Sequence, residues 1–597
     1  MKKLGIVLFV IILFGSCKEK LNDSAENLEG KPLASNAQLS EIFKEYHQGV
    51  LKIDPISATR AGDTRYNDRF VNVLNDSVKE GIKLFYTAYL EKVSQFADED
   101  LNESDLLSKR ILEWECTQKI NRLGLPDYTP IDQMWSVNLV MGQFASGASA
   151  QPFKTVQDYQ NWLKRVDQFL VWFASARYKM EEGIKNGYVL PKSLIVKVIP
   201  QMEAMANEDV ENHLYYSPVK LLPESFTEVE KIKLKNDYRS MVLEKIVPAH
   251  RDMVKFLKNV YLPAGRETSG FGSLTEGDRI YQTMITYFTT TNMTAEEIHE
   301  LGLKEVARIS SEMEQVMKEV GYKGDLKSFF EFVRNKKELM PFTDPQQVID
   351  NFNAIHLKME PQLNKLFELK PKTGFEVRRT EAFREKSASA QYNAAPLDGS
   401  RPGIFYVPIP NVREYNTYGD EDLFLHEAIP GHHYQISIQQ ENQELPDFRK
   451  VLWYSSFGEG WALYAESLGK ELGLYTDPYQ YFGMLGGEMH RAIRLVVDTG
   501  LHSKGWTREQ AIQYSLDNEA ETEASIISEI ERYMIMPGQA LSYKIGQIKI
   551  RQLREKAEND LGKNFDIRKF HSEVLEAGCV PLSLLETKID QWIAENK

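Results

Sequence analysis

From Leu39 to about Leu369 apolar residues recur at intervals of three and four, as in Ile111, Leu112, Cys116 and Ile120, with Pro or Gly marking the turns between such windows. That spacing puts apolar side chains on one face of each successive helix. Pro55, Pro126, Pro223 and Pro263 fall between the windows, where a residue without an N–H does least harm. No repeat of fixed period runs through the segment, which argues against a solenoid. Residues 36–374 are therefore predicted to form a helical scaffold.

The pattern changes between Phe375 and Pro410. GFEVRRTEAF and PGIFYVPIP carry β-branched and aromatic residues in short runs bounded by Gly and Pro, which predicts short strands. Pro402, Pro408 and Pro410 bracket Ile404–Val407 and place that strand at a sheet edge, where it could accept an extended peptide. Helical periodicity then resumes, led by Asp420, Glu421 and Asp422, acids suited to the positive end of a helix dipole. A chain of 597 residues exceeds what one core usually organises, and no low-complexity linker interrupts it. The expectation is two closely packed subdomains, the second being a catalytic unit over 375–597.

The N-terminus reads differently. Two lysines, an apolar run from Ile6 to Phe14, and small Gly15 and Ser16 before Cys17 form a signal peptide over 1–16 that is too short to span a bilayer. A lipid on Cys17 and a tether over 17–35 would hold the protein to the bacterial cell envelope, facing the periplasm or the cell surface. No later stretch approaches membrane-spanning length, so the lipid is the only expected membrane contact. A formal net charge of -14 disfavours nucleic acid as a partner. Cys116 and Cys579 are the remaining cysteines, which excludes a disulfide framework and leaves one candidate pair.

The chemistry concentrates in LFLHEAIPGHHYQ. His426 and Glu427 open a motif like HExxH, in which two histidines one turn apart bind zinc and the glutamate acts as general base. Here Pro430 intervenes. It has no N–H for the His426 carbonyl, and the helix is expected to bulge or bend there. On a straight helix His433 would sit about 10 Å along the axis from His426, too far to share one ion. A bulge absorbing two residues puts His432 in the ligand position, with His433 in reserve.

Two imidazoles call for a third ligand and an open position if the metal is catalytic. Glu459, in FGEGWALYAESLGKEL, is the candidate, and Gly458 and Gly460 would let two backbones approach beside it. Glu466, seven residues on and on the same helical face, suits a histidine N–H. Arg491, Arg494, Asp498 and His502 form a polar stripe at helical spacing. The stripe either lines a cleft, with Arg491 or Arg494 gripping a substrate carboxylate and His502 near the reacting centre, or is a structural ion-pair ladder.

HEAIPGHH followed by GEGWALYAE resembles the large bacterial family known as domain of unknown function 885, as do DPISATRAGDTRYNDRF, RAIRLVVDTGLHSKGW and MPGQALSYKIGQ. That family is similar to gluzincin zinc peptidases of the thimet-oligopeptidase, angiotensin-converting and carboxypeptidase Taq kind. The resemblance implies a mainly α, zincin-like helical fold with a long cleft, here with a small edge β-sheet. Their shorter motifs end in Gly-His, as Gly431-His432 does. It also implies an oxyanion donor from a late helix, which points to Tyr543.

The combined reading is a Zn²⁺ hydrolase with metal ligands His426, His432 and Glu459 and base Glu427, acting on short peptides. An amidase or esterase would use the same groups. A surface peptide-binding protein with structural zinc would need a fourth ligand, for which His433 is the candidate.

Overall fold

A computed structural model describes residues 34–381, 385, 388–397, 399 and 401–597. The 1–16 leader, Cys17 and most of the 17–35 tether lie outside the described residues. Among the described residues no helix is long and apolar enough to cross a membrane.

The fold is mainly α with one small sheet. Capping boxes start several long helices: Thr155 with Asp158, Thr227 with Glu230, and Thr294 with Glu297, each pair satisfying backbone N–H groups that the first turn leaves free. Helix Glu103–Leu123 buries Ile111, Leu112 and Cys116, the face read from the spacing.

Two hydrophobic cores divide the molecule. One, built from residues between Phe70 and Tyr261, surrounds helix Val156–Asn186, whose Trp162, Val166, Phe169 and Phe173 are buried. The other joins the N-terminal helices, from Leu39 to Cys116, to residues between Tyr281 and Ile593. The boundary drawn at 374/375 from the sequence does not coincide with this division. Helix Ala295–Glu319 instead packs along helix Pro478–His502, where a Cβ on Gly302 would lie 2.7 Å from the Leu495 Cβ. Periodicity marks a buried face, but not the partner that buries it.

Strands β1 (Phe375–Arg379), β2 (Gln391–Asn393) and β3 (Gly403–Val407) form a sheet of order β1-β3-β2, with β1 parallel and β2 antiparallel to β3. The Ile404–Val407 segment is thus central, not an edge. Pro402 and Pro408 lie just outside the strand, so they remove no ladder hydrogen bond and both sides of β3 can pair. Phe405 and Val407 carry the sheet into the larger core. Cys116 and Cys579, the candidate disulfide pair, are both buried free thiols.

Candidate metal centre

Helix Asp420–Glu427 is anchored by its own acids. Tyr415 and Asn351 donate to Asp420, Lys358 pairs with Glu421, and Asp422 is buried beside Glu466. The helix then stops. Ala428 has φ -106° and ψ -102°, the Ile429-Pro430 peptide is cis, and a second helix runs His432–Glu441. The expected bulge inside one helix is therefore a full break. Gly431 is required at the break, because a Cβ there would lie 2.0 Å from the His426 carbonyl oxygen and 2.3 Å from that of Leu425. Trp461 Nε1 donates to the Pro430 carbonyl at 2.7 Å and holds the turn.

This break brings the two imidazoles together, with ring centres 4.7 Å apart and planes at 86°. Glu459, on helix Ser455–Ser467, places Oε2 3.6 Å from His426 Nε2 and 3.4 Å from His432 Nε2. Two ligands each ~2.1 Å from a tetrahedral zinc are separated by ~3.4 Å, so the spacing suits one ion. The three donor atoms lie within 4.8 Å of one another.

Electrostatics point the same way. The His426 Nδ1 lies 2.6 Å from Glu466 Oε1, so Nδ1–H donates there, and in the neutral imidazole the Nε2 lone pair faces Glu459. In that form two acceptors face each other, an arrangement satisfied by a metal ion between them or, when none is bound, by a proton on Nε2. Burial would lower the His426 pKa, but Glu459 and Glu466 raise it to about 10. Burial would raise the Glu459 carboxyl, whereas the two histidines hold it well below the usual range. Glu427 is buried next to His426, and among the described residues nothing hydrogen-bonds its carboxylate.

His433 faces away from the centre. Its Nδ1 is 2.9 Å from the Tyr392 hydroxyl and 3.3 Å from Ser437 Oγ, its ring packs on Phe375, and burial lowers its pKa to about 4.

Tyr543 comes from helix Ser542–Leu561, which crosses the Glu459 helix at a glycine contact: a Cβ on Gly460 would lie 2.5 Å from the Gly546 Cα. Gly460 thus admits this late helix, while Gly458 makes room for the Trp453 ring. Burial and the nearby Glu459 carboxylate raise the Tyr543 pKa, keeping its hydroxyl a donor at neutral pH. The Arg494 guanidinium lies 4.5 Å over the Tyr543 ring.

The polar stripe does fall on one helix, Pro478–His502, but its two ends serve different purposes. Arg491 lies near Asp422, and Arg494 donates to the Tyr533 hydroxyl at 3.0 Å and to Glu529 at 3.1 Å. Asp498 accepts from the Tyr281 hydroxyl at 2.6 Å and from Gly538 N at 3.0 Å. His502 is fully buried: Nδ1 accepts from Phe271 N at 3.1 Å and Nε2 donates to the Tyr533 carbonyl at 3.0 Å. Both of its nitrogens are committed to backbone, so the suggested catalytic role for His502 does not hold. Helical spacing gave it the right face but not its depth along the helix.

Asp422 and Trp453 were missed. Asp422 lies four residues before His426, and hence on the same helical face, which could have flagged it. Burial and Glu466 push its carboxyl well up. Trp453 stands 5.7 Å from the His432 ring and is 43% exposed, at the mouth of the site, and no local pattern marked it.

Fold and site together define a class of mainly α proteins with a buried cluster of two histidines and a glutamate. Within that class the chain belongs to the family described as "Bacterial protein of unknown function (DUF885)", which matches residues 55–589. A crystal structure of a candidate lipoprotein from Colwellia psychrerythraea is similar at TM-score 0.83 and 27% identity, covering 94% of this chain and 99% of that one. A candidate lipoprotein of unknown function from Shewanella oneidensis shares the fold at TM-score 0.73 and 19% identity, covering 92% of this chain and 99% of that one. No curated protein matches the chain.

Proposed function

We propose that this protein is a zinc-dependent hydrolase of the bacterial cell envelope that cleaves short peptides. The observation that carries the proposal is the placement of Glu459 Oε2 at 3.6 and 3.4 Å from the Nε2 atoms of His426 and His432. When bound, zinc would polarise the scissile carbonyl and make water nucleophilic at neutral pH.

The chain's own groups divide the remaining work. Glu427 takes the proton from the attacking water and hands it to the leaving amine. Tyr543 donates a hydrogen bond to the carbonyl oxygen as charge builds there. Glu466 holds His426 in the tautomer whose Nε2 faces the metal. A purely structural zinc would take a fourth protein ligand. His433 is a poor candidate, because it is engaged with Tyr392.

The leader before Cys17, together with relatives described as candidate lipoproteins, supports lipid attachment at Cys17.

Elemental analysis of purified wild type and Glu427→Gln, combined with digestion of a mixed peptide library, tests the reading. One zinc in each with cleavage by wild type alone supports it. Protein that has never met a chelator and holds no stoichiometric metal refutes it.

A further inference from the structure

A groove of about 510 Å³ lies between the two cores, within the usual size range of ligand sites. Its walls are mainly apolar: Phe70 and Trp172 belong to one core, Tyr86 to the other, and Ile535 packs against both. Two cations, Lys119 and Arg122, line one part of it. Lys119 pairs with Glu115 at 3.4 Å. The Arg122 guanidinium stacks 4.0 Å over the Tyr287 ring, and among the described residues no carboxylate or carbonyl pairs with it. The groove's own acid, Asp54, is already committed to a helix N-terminus through Ser57 N and Oγ. An apolar floor with one uncommitted guanidinium, on a chain of net charge -14, is matched by an apolar ligand ending in a carboxylate.

The groove shares no residue with the metal centre, but aromatic side chains join the two. Trp453 stands 5.7 Å from His432, and its neighbour Tyr454 meets Trp114 at 4.9 Å. Trp114 stacks on Tyr287 at 6.4 Å, and Tyr287 carries Arg122. On the other side Arg494 lies over the Tyr543 ring and donates to Tyr533, two residues before the groove's Ile535. An occupant of both places would have to be extended.

We propose that the groove receives the carboxyl-terminal part of an oligopeptide substrate, with apolar side chains against Phe70 and Trp172 and the terminal carboxylate on Arg122. This assignment rests on the peptidase reading, but binding in the groove needs no metal.

The test uses chelator-treated protein and a fluorescent Leu/Phe-rich hexapeptide, as free acid and as C-terminal amide, with binding followed by anisotropy. The acid is expected to bind about tenfold more tightly than the amide. Arg122→Gln should abolish that difference and Arg122→Lys should keep part of it. Met284→Trp, which fills the groove, should weaken both peptides, and Arg122→Gln still decides the matter if that variant does not fold. Equal binding of acid and amide, or an unaltered Arg122→Gln, overturns the proposal. So does binding of laurate by the groove when neither peptide binds. Cleavage by the zinc-loaded protein without acid preference in binding sinks the groove and leaves the peptidase standing. Acid-selective binding without cleavage of any peptide does the reverse.

Discussion

Glu466 Oε1 sits 2.6 Å from His426 Nδ1, behind the imidazole edge that faces Glu459 and His432. Removing the charge while keeping the shape tests what this contact does. Glu466→Gln is expected to weaken zinc binding about 10–100-fold with little change in fold, read by competition with a zinc chelator. Unchanged affinity would mean that His426 is oriented by packing alone.

The ligand assignment separates two adjacent histidines. His432→Ala and Glu459→Ala are each expected to lose stoichiometric zinc, whereas His433→Ala should retain it, because His433 is held by Tyr392 and Ser437. Elemental analysis of the three variants reads this directly, and zinc loss from His433→Ala alone would reverse the assignment.

Base and oxyanion donor should separate from metal binding in the same way. Glu427→Gln is expected to keep zinc and lose about 10²–10⁴-fold in peptide hydrolysis. Tyr543→Phe should lower kcat by about 10²–10³-fold with a smaller effect on KM. Steady-state kinetics with one cleaved peptide suffices, and full activity in Tyr543→Phe would remove the tyrosine from the mechanism.

At the helix break, Gly431→Ala would press a methyl onto the His426 carbonyl oxygen, 2.0 Å away. A destabilisation of about 1–3 kcal/mol is expected, with loss of zinc, because the turn that aims His432 must open. Denaturant unfolding and metal content should fall together; normal values for both would show that the turn adapts freely.

His502 gives the fold a calculable acid sensitivity. Burial lowers its pKa from 6.5 to about 3, so the unfolded chain binds the extra proton between those values. Its contribution is present above pH 6.5 and is lost as the pH falls toward 3, costing about 2 kcal/mol by pH 5. Asp498 acts in the opposite sense: burial raises it from 3.8 to about 7, so stability declines as the pH rises through that window. His502→Gln should lower stability at pH 7 and flatten the fall between pH 7 and 5 relative to wild type. Parallel pH profiles would show that His502 does not titrate on unfolding.

Much of this protein is legible from its chain, because helices and ligand types are local properties. The spacing of Ile111, Leu112 and Cys116 implies a helix with one buried face, and Pro430 together with Gly431 implies that the metal-motif helix cannot run straight. His426, Glu427 and Glu459 stand out as candidates by type and spacing, whereas His432 is preferred over His433 only through the expected bulge at Pro430 and the family resemblance. Tertiary structure decided the rest. That Pro430 breaks the helix outright and turns His433 toward Tyr392, that β3 is central, and that Gly460 meets Gly546 and so brings Tyr543 toward Glu459, all depend on contacts between distant segments. His502 shows the limit most clearly: its helical face was readable, but its burial between Phe271 and Tyr533 was not. Periodicity orients a side chain about its own helix axis, and only the packing of other helices determines what that side chain meets.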